Sequence, residues 1–415
     1  APTAAGQGVI DGGSDLNCAN DGDPVYRAFP VGSNGFPGYS PEFSGDYTRE
    51  SYAAYADLSF DLTPKLFLQT AVRFEDYTDF GSQTVAKIAG RYRINDMFAI
   101  RSSVGTGFRA PTPGQQGTIN VATVFPFGEP VAEGTFPPGG PVAQALGANE
   151  LEAETAVNYT LGFTADMQNG LTVTADLYRI EIDGRTRFIS SLDVNPNAPE
   201  GSEARLNFEA LDSAGVPGAN TIGQVSWLTN AFDTITTGFD LVASYPIDWG
   251  DAGTTNLTAS VNWTDFRAEG NVDEFLDNED LFDFENGLIP SWRGVYTAVH
   301  TINQFTIMAR ASYFGEYEES QEDGNGGPIR GPGLPETAGI YSFDGVWFFD
   351  LEGSWQVNQN VRVTLGGRNI FDEFPDELGT IGRSDQCCGR SYDSGSGVAW
   401  QGGYYYRRIA AELPV

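Results

Sequence analysis

The chain has 415 residues, with 51 Gly, 28 Phe, 18 Tyr and 7 Trp against only 3 Met, a usage that points to β-structure. Lys and Arg number 23 against 56 Asp and Glu, and the net charge of −33 disfavours nucleic acid or an anionic membrane surface as a general partner. The single histidine, His300, cannot supply a zinc site or several acid/base steps, and there is no G-x-S-x-G, Walker loop or His–Cys cluster, so the chain reads as a non-enzyme without cofactor or metal.

No run approaches the roughly 18 apolar residues of a spanning helix. A strand that alternates lipid-facing and lumen-facing residues escapes that test, so periodicity decides. From Leu66, the residues Leu68, Val72 and Phe74 oppose Lys65, Gln69, Arg73 and Glu75. Leu257, Ala259, Val261 and Trp263 alternate with Asn256, Thr258, Ser260, Asn262 and Thr264; Trp347, Phe349, Leu351 and Trp355 oppose Asp350, Glu352, Ser354 and Gln356. In chain order the pattern predicts about thirteen strands: 48–62, 65–79, 83–95, 97–109, 152–167, 170–185, 225–248, 253–268, 290–302, 304–316, 343–357, 360–373 and 398–413. Many exceed both the five or six residues usual in a soluble sandwich and the roughly 9–11 that cross a bilayer at a tilt. The segment 225–248 is long enough to hold a bulge or a hairpin arm.

Tight turns such as Thr63-Pro64, Asn95-Asp96 and Gln168-Asn169 alternate with long segments at 110–151, 186–224, 269–289, 317–342 and 374–397. Short turns on one side and long loops on the other fit an all-β, transmembrane antiparallel barrel, with turns periplasmic and loops extracellular. Residues 1–47 are then expected to form an extracellular segment, and the barrel portion runs over 48–415 with the C-terminus periplasmic. An odd count cannot close antiparallel, because the first and last strands run the same way. Nine further strands would make the twenty-two of the large plugged transporters. A fourteenth strand within 24–40, giving a self-sufficient channel, is the competing count; Pro24, Pro30 and Pro37 speak against it.

Several stretches carry a family resemblance. Gly105-Thr106-Gly107-Phe108-Arg109-Ala110-Pro111-Thr112 resembles the TGFRAP signature of the TonB-dependent outer-membrane receptors, and Arg73-Phe74-Glu75-Asp76-Tyr77-Thr78-Asp79-Phe80-Gly81 resembles their R-x-E-D-Y-S-D-F-G hairpin. Leu151-Glu152-Ala153-Glu154-Thr155 through Gly162, Thr229-Asn230-Ala231-Phe232-Asp233 through Leu241, and Gly366-Gly367-Arg368-Asn369-Ile370-Phe371-Asp372-Glu373 follow in the family's order. The resemblance implies the C-terminal part of a 22-stranded plugged barrel. Such a receptor imports a scarce ligand, a siderophore, saccharide or similar, on energy relayed by TonB. Its implied partners are the lipid bilayer, the ligand, and a companion chain that carries the plug, the early strands and the contact with TonB. The competing reading is a receptor-derived scaffold or binding component without transport. Leu413 stands where family members end on an aromatic residue.

On the inward positions fall Arg73, Lys87, Arg91, Arg93, Arg101, Arg310, Arg362, Arg368 and Arg408, while acids crowd the loops at 273–285 and 316–323. The acidic mouth favours a neutral or cationic ligand. Ligand-binding candidates at loop bases are Arg109, Gln115, Gln116, Trp227, Asn230 and Asp233. Cys18, Cys387 and Cys388 fall in loops of an oxidising compartment. Adjacent Cα atoms lie about 3.8 Å apart, below the usual minimum of about 4.4 Å for a bridge, so Cys18 pairing with Cys387 or Cys388 is preferred over a vicinal bond.

Overall fold

The computed structural model describes residues 48–124, 131–276, 278–286, 290–320, 340–377, 391–392 and 397–411. Residues 1–47, the three cysteines Cys18, Cys387 and Cys388, and Leu413 lie outside the described residues.

Thirteen strands pair in sequence order into one antiparallel sheet. We number them β1 (Ser51–Thr63), β2 (Leu66–Tyr77), β3 (Gly81–Arg93), β4 (Phe98–Arg109), β5 (Glu154–Asp166), β6 (Thr172–Phe188), β7 (Leu228–Asp248), β8 (Thr254–Glu269), β9 (Trp292–Ile302), β10 (Phe305–Phe314), β11 (Val346–Asn358), β12 (Val361–Arg368) and β13 (Tyr404–Ala411). Every segment of period-two alternation is a strand. Two ends differ most from expectation. β12 stops at Arg368, because Asn369 (φ 48) and Asp372 (φ 57) turn left-handed, and β13 begins only at Tyr404.

Residues directly opposite each other in an antiparallel pair point to the same side, so the register sorts side chains onto two faces. One row runs Leu68, Gly90, Ser102, Leu161, Leu177, Phe239, Trp263 and Trp292. The adjacent row runs Phe67, Arg91, Arg101, Gly162, Asp176, Asp240, Asn262 and Arg293. The first face is apolar and open, with Leu161 54% and Leu177 57% exposed, which in water would be an aggregation surface. Aromatic rings mark its two borders: Phe239, Trp263, Trp292, Tyr313 and Trp347 cluster near the loop end, and Phe305 stacks on Trp355 near the turn end. Between Trp263 and Thr255 the strand covers about 27 Å, or about 20 Å in height at a barrel tilt of about 40°, close to the apolar band of outer-membrane barrels.

The second face is a polar ladder. Arg101 pairs with Asp176, Asn262 donates to Asp240 at 2.8 Å, Gln69 donates to Asp57 at 3.0 Å, and Tyr406 donates to Glu352 at 2.5 Å. All nine cations expected on the inward positions share this face by register. β1 and β13 run in the same direction and each is paired along one edge only, so the sheet is open among the described residues.

The long segments 110–151 and 186–224 are not plain loops. They build a second sheet of four strands in the order Asn120–Val124, Val131–Thr135, Ile222–Ser226, Leu192–Asp193, with a parallel central pairing. Helix Glu203–Ser213 packs on it, and Leu211, Val225, Ala143 and Val121 form a closed core. The segment expected as one strand at 225–248 is therefore divided: Ile222–Ser226 serves the small sheet, and β7 begins at Leu228. A helix, Asn278–Asn286, and a hairpin of Tyr317–Ser320 with Ile340–Phe343 cap the same end.

Candidate ligand site at the loop end

β6 and β7 are the longest strands, at 17 and 21 residues, and carry the main sheet into the cap. Their register breaks twice: Ile182 faces Thr234, Arg185 faces Phe232, and Thr186 faces Asn230. Asp183 and Gly184 thus oppose Asp233 alone, a bulge of two residues against one. Gly184 takes φ 64, a left-handed conformation that suits glycine. Its N–H donates to Asp233 Oδ1 at 2.9 Å, and its carbonyl accepts from Asn230 Nδ2 at 2.8 Å. Asn230 also holds β5's approach, donating to the Glu152 carbonyl at 3.0 Å and accepting the Glu152 N–H at 2.7 Å.

An inserted residue reverses side-chain parity beyond it. Even-numbered residues of β6 face the polar side up to Ile182; after the bulge, Arg185 and Arg187 do. Both arginines line a cavity of about 720 Å³ with Phe266, Phe284, Tyr317 and Phe343. The Arg187 guanidinium lies 4.4 Å from the Phe284 ring centroid, within cation–π reach. Phe284 in turn packs edge-on to Phe232 and Phe266 at 5.3 and 4.8 Å.

Three of the five acids that line the cavity have partners, and Glu316 and Asp344 line it beside them. Asp265 pairs with Arg267 at 2.9 Å, Glu285 accepts the Ala268 N–H at 2.9 Å, and Glu318 accepts from Ser342 at 3.1 Å. Burial, and then the neighbouring Arg185, push the Arg187 guanidinium below its ordinary value, with Asp280 opposing from a distance while it accepts a hydrogen bond from Ser190. Among the described residues neither Arg185 nor Arg187 has a carboxylate at ion-pair distance, and the buried Arg187 Nε has no hydrogen-bond acceptor. The cavity therefore offers aromatic walls and two free guanidinium groups, a set suited to binding rather than bond-making.

The residues singled out from sequence divide by role. Asn230 and Asp233 lock the bulge. Gln115 closes a capping box with Thr112 on the short helix Pro113–Gly117, its Oε1 accepting the Thr112 N–H at 2.8 Å. Gln116 sits in the same turn, its N–H donated to the Thr112 carbonyl at 3.2 Å. Trp227 is 5% exposed and packs in the core of the small sheet. Arg109 lies 3.8 Å from Glu154, whose carboxylate also accepts the Thr186 N–H at 2.8 Å, so it is tied to the end of β6 and does not line the cavity. Arg185, Arg187 and Phe284 were not anticipated. The one available signal was the Asp183-Gly184 pair interrupting the alternation of β6.

A family model described as the TonB dependent receptor-like β-barrel matches residues 7–370. The chain belongs to this family. Among curated proteins this receptor barrel is 25% identical over 190 residues to the ferric enterobactin receptor PirA of Pseudomonas aeruginosa, covering 45% of the chain and 24% of that protein. Among solved structures it is similar to a mutant ferric enterobactin receptor of Pseudomonas aeruginosa, with a TM-score of 0.59 and 13% identity over 94% of this chain and 49% of that one. It is likewise similar to the ferripyoverdine receptor of the outer membrane of Pseudomonas aeruginosa, with a TM-score of 0.52 and 13% identity over 87% of this chain and 38% of that one. The receptor barrel thus spans a quarter to a half of the length of these relatives.

Proposed function

We propose that the chain is the C-terminal barrel portion of a TonB-dependent importer in a Gram-negative outer membrane. The observation that carries this reading is a sheet that exposes its apolar face while its polar face leads into a cavity with two unpaired arginines. The apolar face meets lipid, the polar face lines the lumen, and the long-loop end faces outward. An open edge in lipid would strand unsatisfied N–H and C=O groups, so further strands close the barrel. We assign these, about nine in number to reach the family's twenty-two, together with the plug and the contact with TonB, to other parts of the receptor, on the same polypeptide or on a companion chain. In this orientation the segment before β1 lies outside and the end of β13 in the periplasm.

The ligand is a small molecule of siderophore type, held by Arg185, Arg187 and the aromatic walls, with Arg109 and Gln116 as further contacts. The names of the relatives and the two free cations together favour a ligand with anionic groups, whereas loop acidity alone pointed to a neutral or cationic one. The test is uptake of labelled ferric siderophores by cells that carry the whole receptor, with and without TonB. Uptake is expected to vanish without either protein, and replacing Arg185 and Arg187 by Ala should weaken ligand binding by roughly tenfold or more, as for lost charge-assisted hydrogen bonds. Unchanged uptake across a siderophore panel in the receptor deletion would instead support the surface-scaffold reading.

A further inference from the structure

The loop-end cavity holds unpaired charge of both signs. Arg185 and Arg187 line it from β6. Glu316 and Asp344 line it from the hairpin, where the pairing of Tyr317 with Phe343 brings the residue before one strand and the residue after the other to the same end. Among the described residues none of these four side chains has a hydrogen-bond or ion-pair partner. The other charges of the cavity are satisfied locally, Arg267 by Asp265, Glu285 by the Ala268 N–H and Glu318 by Ser342.

Free charges of opposite sign around one cavity would neutralise each other if its walls could close. They stay apart because each wall is anchored in its own apolar cluster. Arg187 lies over Phe284, which is buried with Phe232, Val272 and Leu276. Tyr317 stacks on Phe343 at 4.6 Å, and both are buried with Phe348 and Val398. The helix Asn278–Asn286 packs against both β8 and the strand Tyr317–Ser320, so it holds the two clusters in place. The space they enclose, about 720 Å³, is the size of a small-molecule site. Apolar ground beneath each wall also weakens the screening of its charge, so both walls act on whatever enters.

We propose that the ligand of this cavity is zwitterionic: an anionic group sits on Arg185 and Arg187, and a protonated amine of the same molecule sits between Glu316 and Asp344. This rests on the ligand-binding reading above and narrows it. A ligand with anionic groups alone would set its charge against two free carboxylates, and a purely cationic one would leave the buried Arg187 Nε without an acceptor. A molecule with both signs satisfies both walls, and it reconciles the acidic loops with the free arginines.

The test is calorimetric titration of the whole receptor in detergent with two probes. One is the ferric complex of a tripodal tris-catecholate that carries a primary amine, anionic and aromatic to suit the arginines and the ring walls; the other is the same complex with the amine acetylated. The amine form is expected to bind about tenfold more tightly, in line with a hydrogen bond between charged groups. Glu316→Gln with Asp344→Asn should abolish that preference without weakening the acetylated complex. Both positions are exposed, so the fold tolerates the change. Glu316→Lys with Asp344→Lys should turn the preference towards the complex whose amine is succinylated. Replacing Arg185 and Arg187 by Ala should weaken both original complexes. Equal affinity for the two complexes, or a preference that survives Glu316→Gln with Asp344→Asn, overturns the zwitterion proposal and leaves the importer reading standing. Binding of neither complex by a receptor that shows heat-modifiable migration overturns it together with the siderophore-type reading of the cavity.

Discussion

The main sheet and its cap are built for two different solvents. In the main sheet large apolar residues such as Leu161, Leu177 and Leu365 are more than half exposed and the polar groups pair with one another across the strands, as with Arg101 and Asp176. In the cap the order is that of a soluble domain: Leu211, Val225 and Ala143 are fully buried in an apolar core drawn from two distant segments. The same chain therefore holds a membrane-type surface and a water-type core a few residues apart, joined through β6 and β7. The main sheet is held by local hairpins whose hydrogen bonds lipid makes obligatory, and the cap by long-range apolar burial.

That contrast can be broken most forcefully from the cap side. Trp227→Ala removes the largest ring of the cap core and should cost about 3–5 kcal/mol of cap stability. Hydrogen exchange should then report loss of protection over 120–124, 131–135 and 222–226 while β1 to β5 stay protected; equal loss in both regions would mean that cap and sheet are one cooperative unit. Next in size is Leu161→Arg, which places a charge near the middle of the apolar face and should cost about 2–4 kcal/mol in a bilayer. Reversible unfolding in lipid vesicles measures it, and a neutral result would mean that this face does not meet lipid.

A smaller effect is expected at the joint. Asn230→Ala strips hydrogen bonds from Gly184 and Glu152 and should cost about 1–3 kcal/mol, seen as faster exchange of the amides around 182–186. The mildest prediction concerns pH. Burial, and then the nearby Asp193, push the Glu133 carboxyl above the ordinary carboxylate value. The folded cap therefore holds this proton more tightly than the unfolded chain does. Cap protection should be greatest below the ordinary carboxylate value and decline as pH rises through the raised one. Glu133→Gln should flatten that slope, and an unaltered slope would assign it to other groups.

Strand number and faces were legible because alternation is a local property: Leu257 to Thr264 states its two faces without reference to any neighbour. The site was less legible. Asn230, Asp233 and Gln115 stand out in sequence because of their polar chemistry at loop bases, yet their hydrogen bonds go to the backbone. Arg185 and Arg187 lie on the wrong parity for the lumen when β6 is counted from Leu177, and only the bulge brings them round. Phe284 sits in an acidic stretch, 273–285, that stands out in sequence only by its charge; its ring is buried because Phe232 and Phe266 meet it from other strands.

By itself the sequence determined what period-two patterning, turn residues and charge can encode: thirteen strands, their order, their two faces, and the division into a short-turn end and a long-loop end. Only the tertiary structure decided what depends on contacts between remote segments. Val131–Thr135 pairs in parallel with Ile222–Ser226 across some ninety residues, and no local pattern announces a parallel pair whose partner is so far along the chain. The cavity follows the same logic, since its walls, its acids and its arginines come from β6, β8, the helix Asn278–Asn286 and the paired strands Tyr317–Ser320 and Ile340–Phe343. Side-chain alternation is written residue by residue, whereas vacancy and pairing belong to the packed whole.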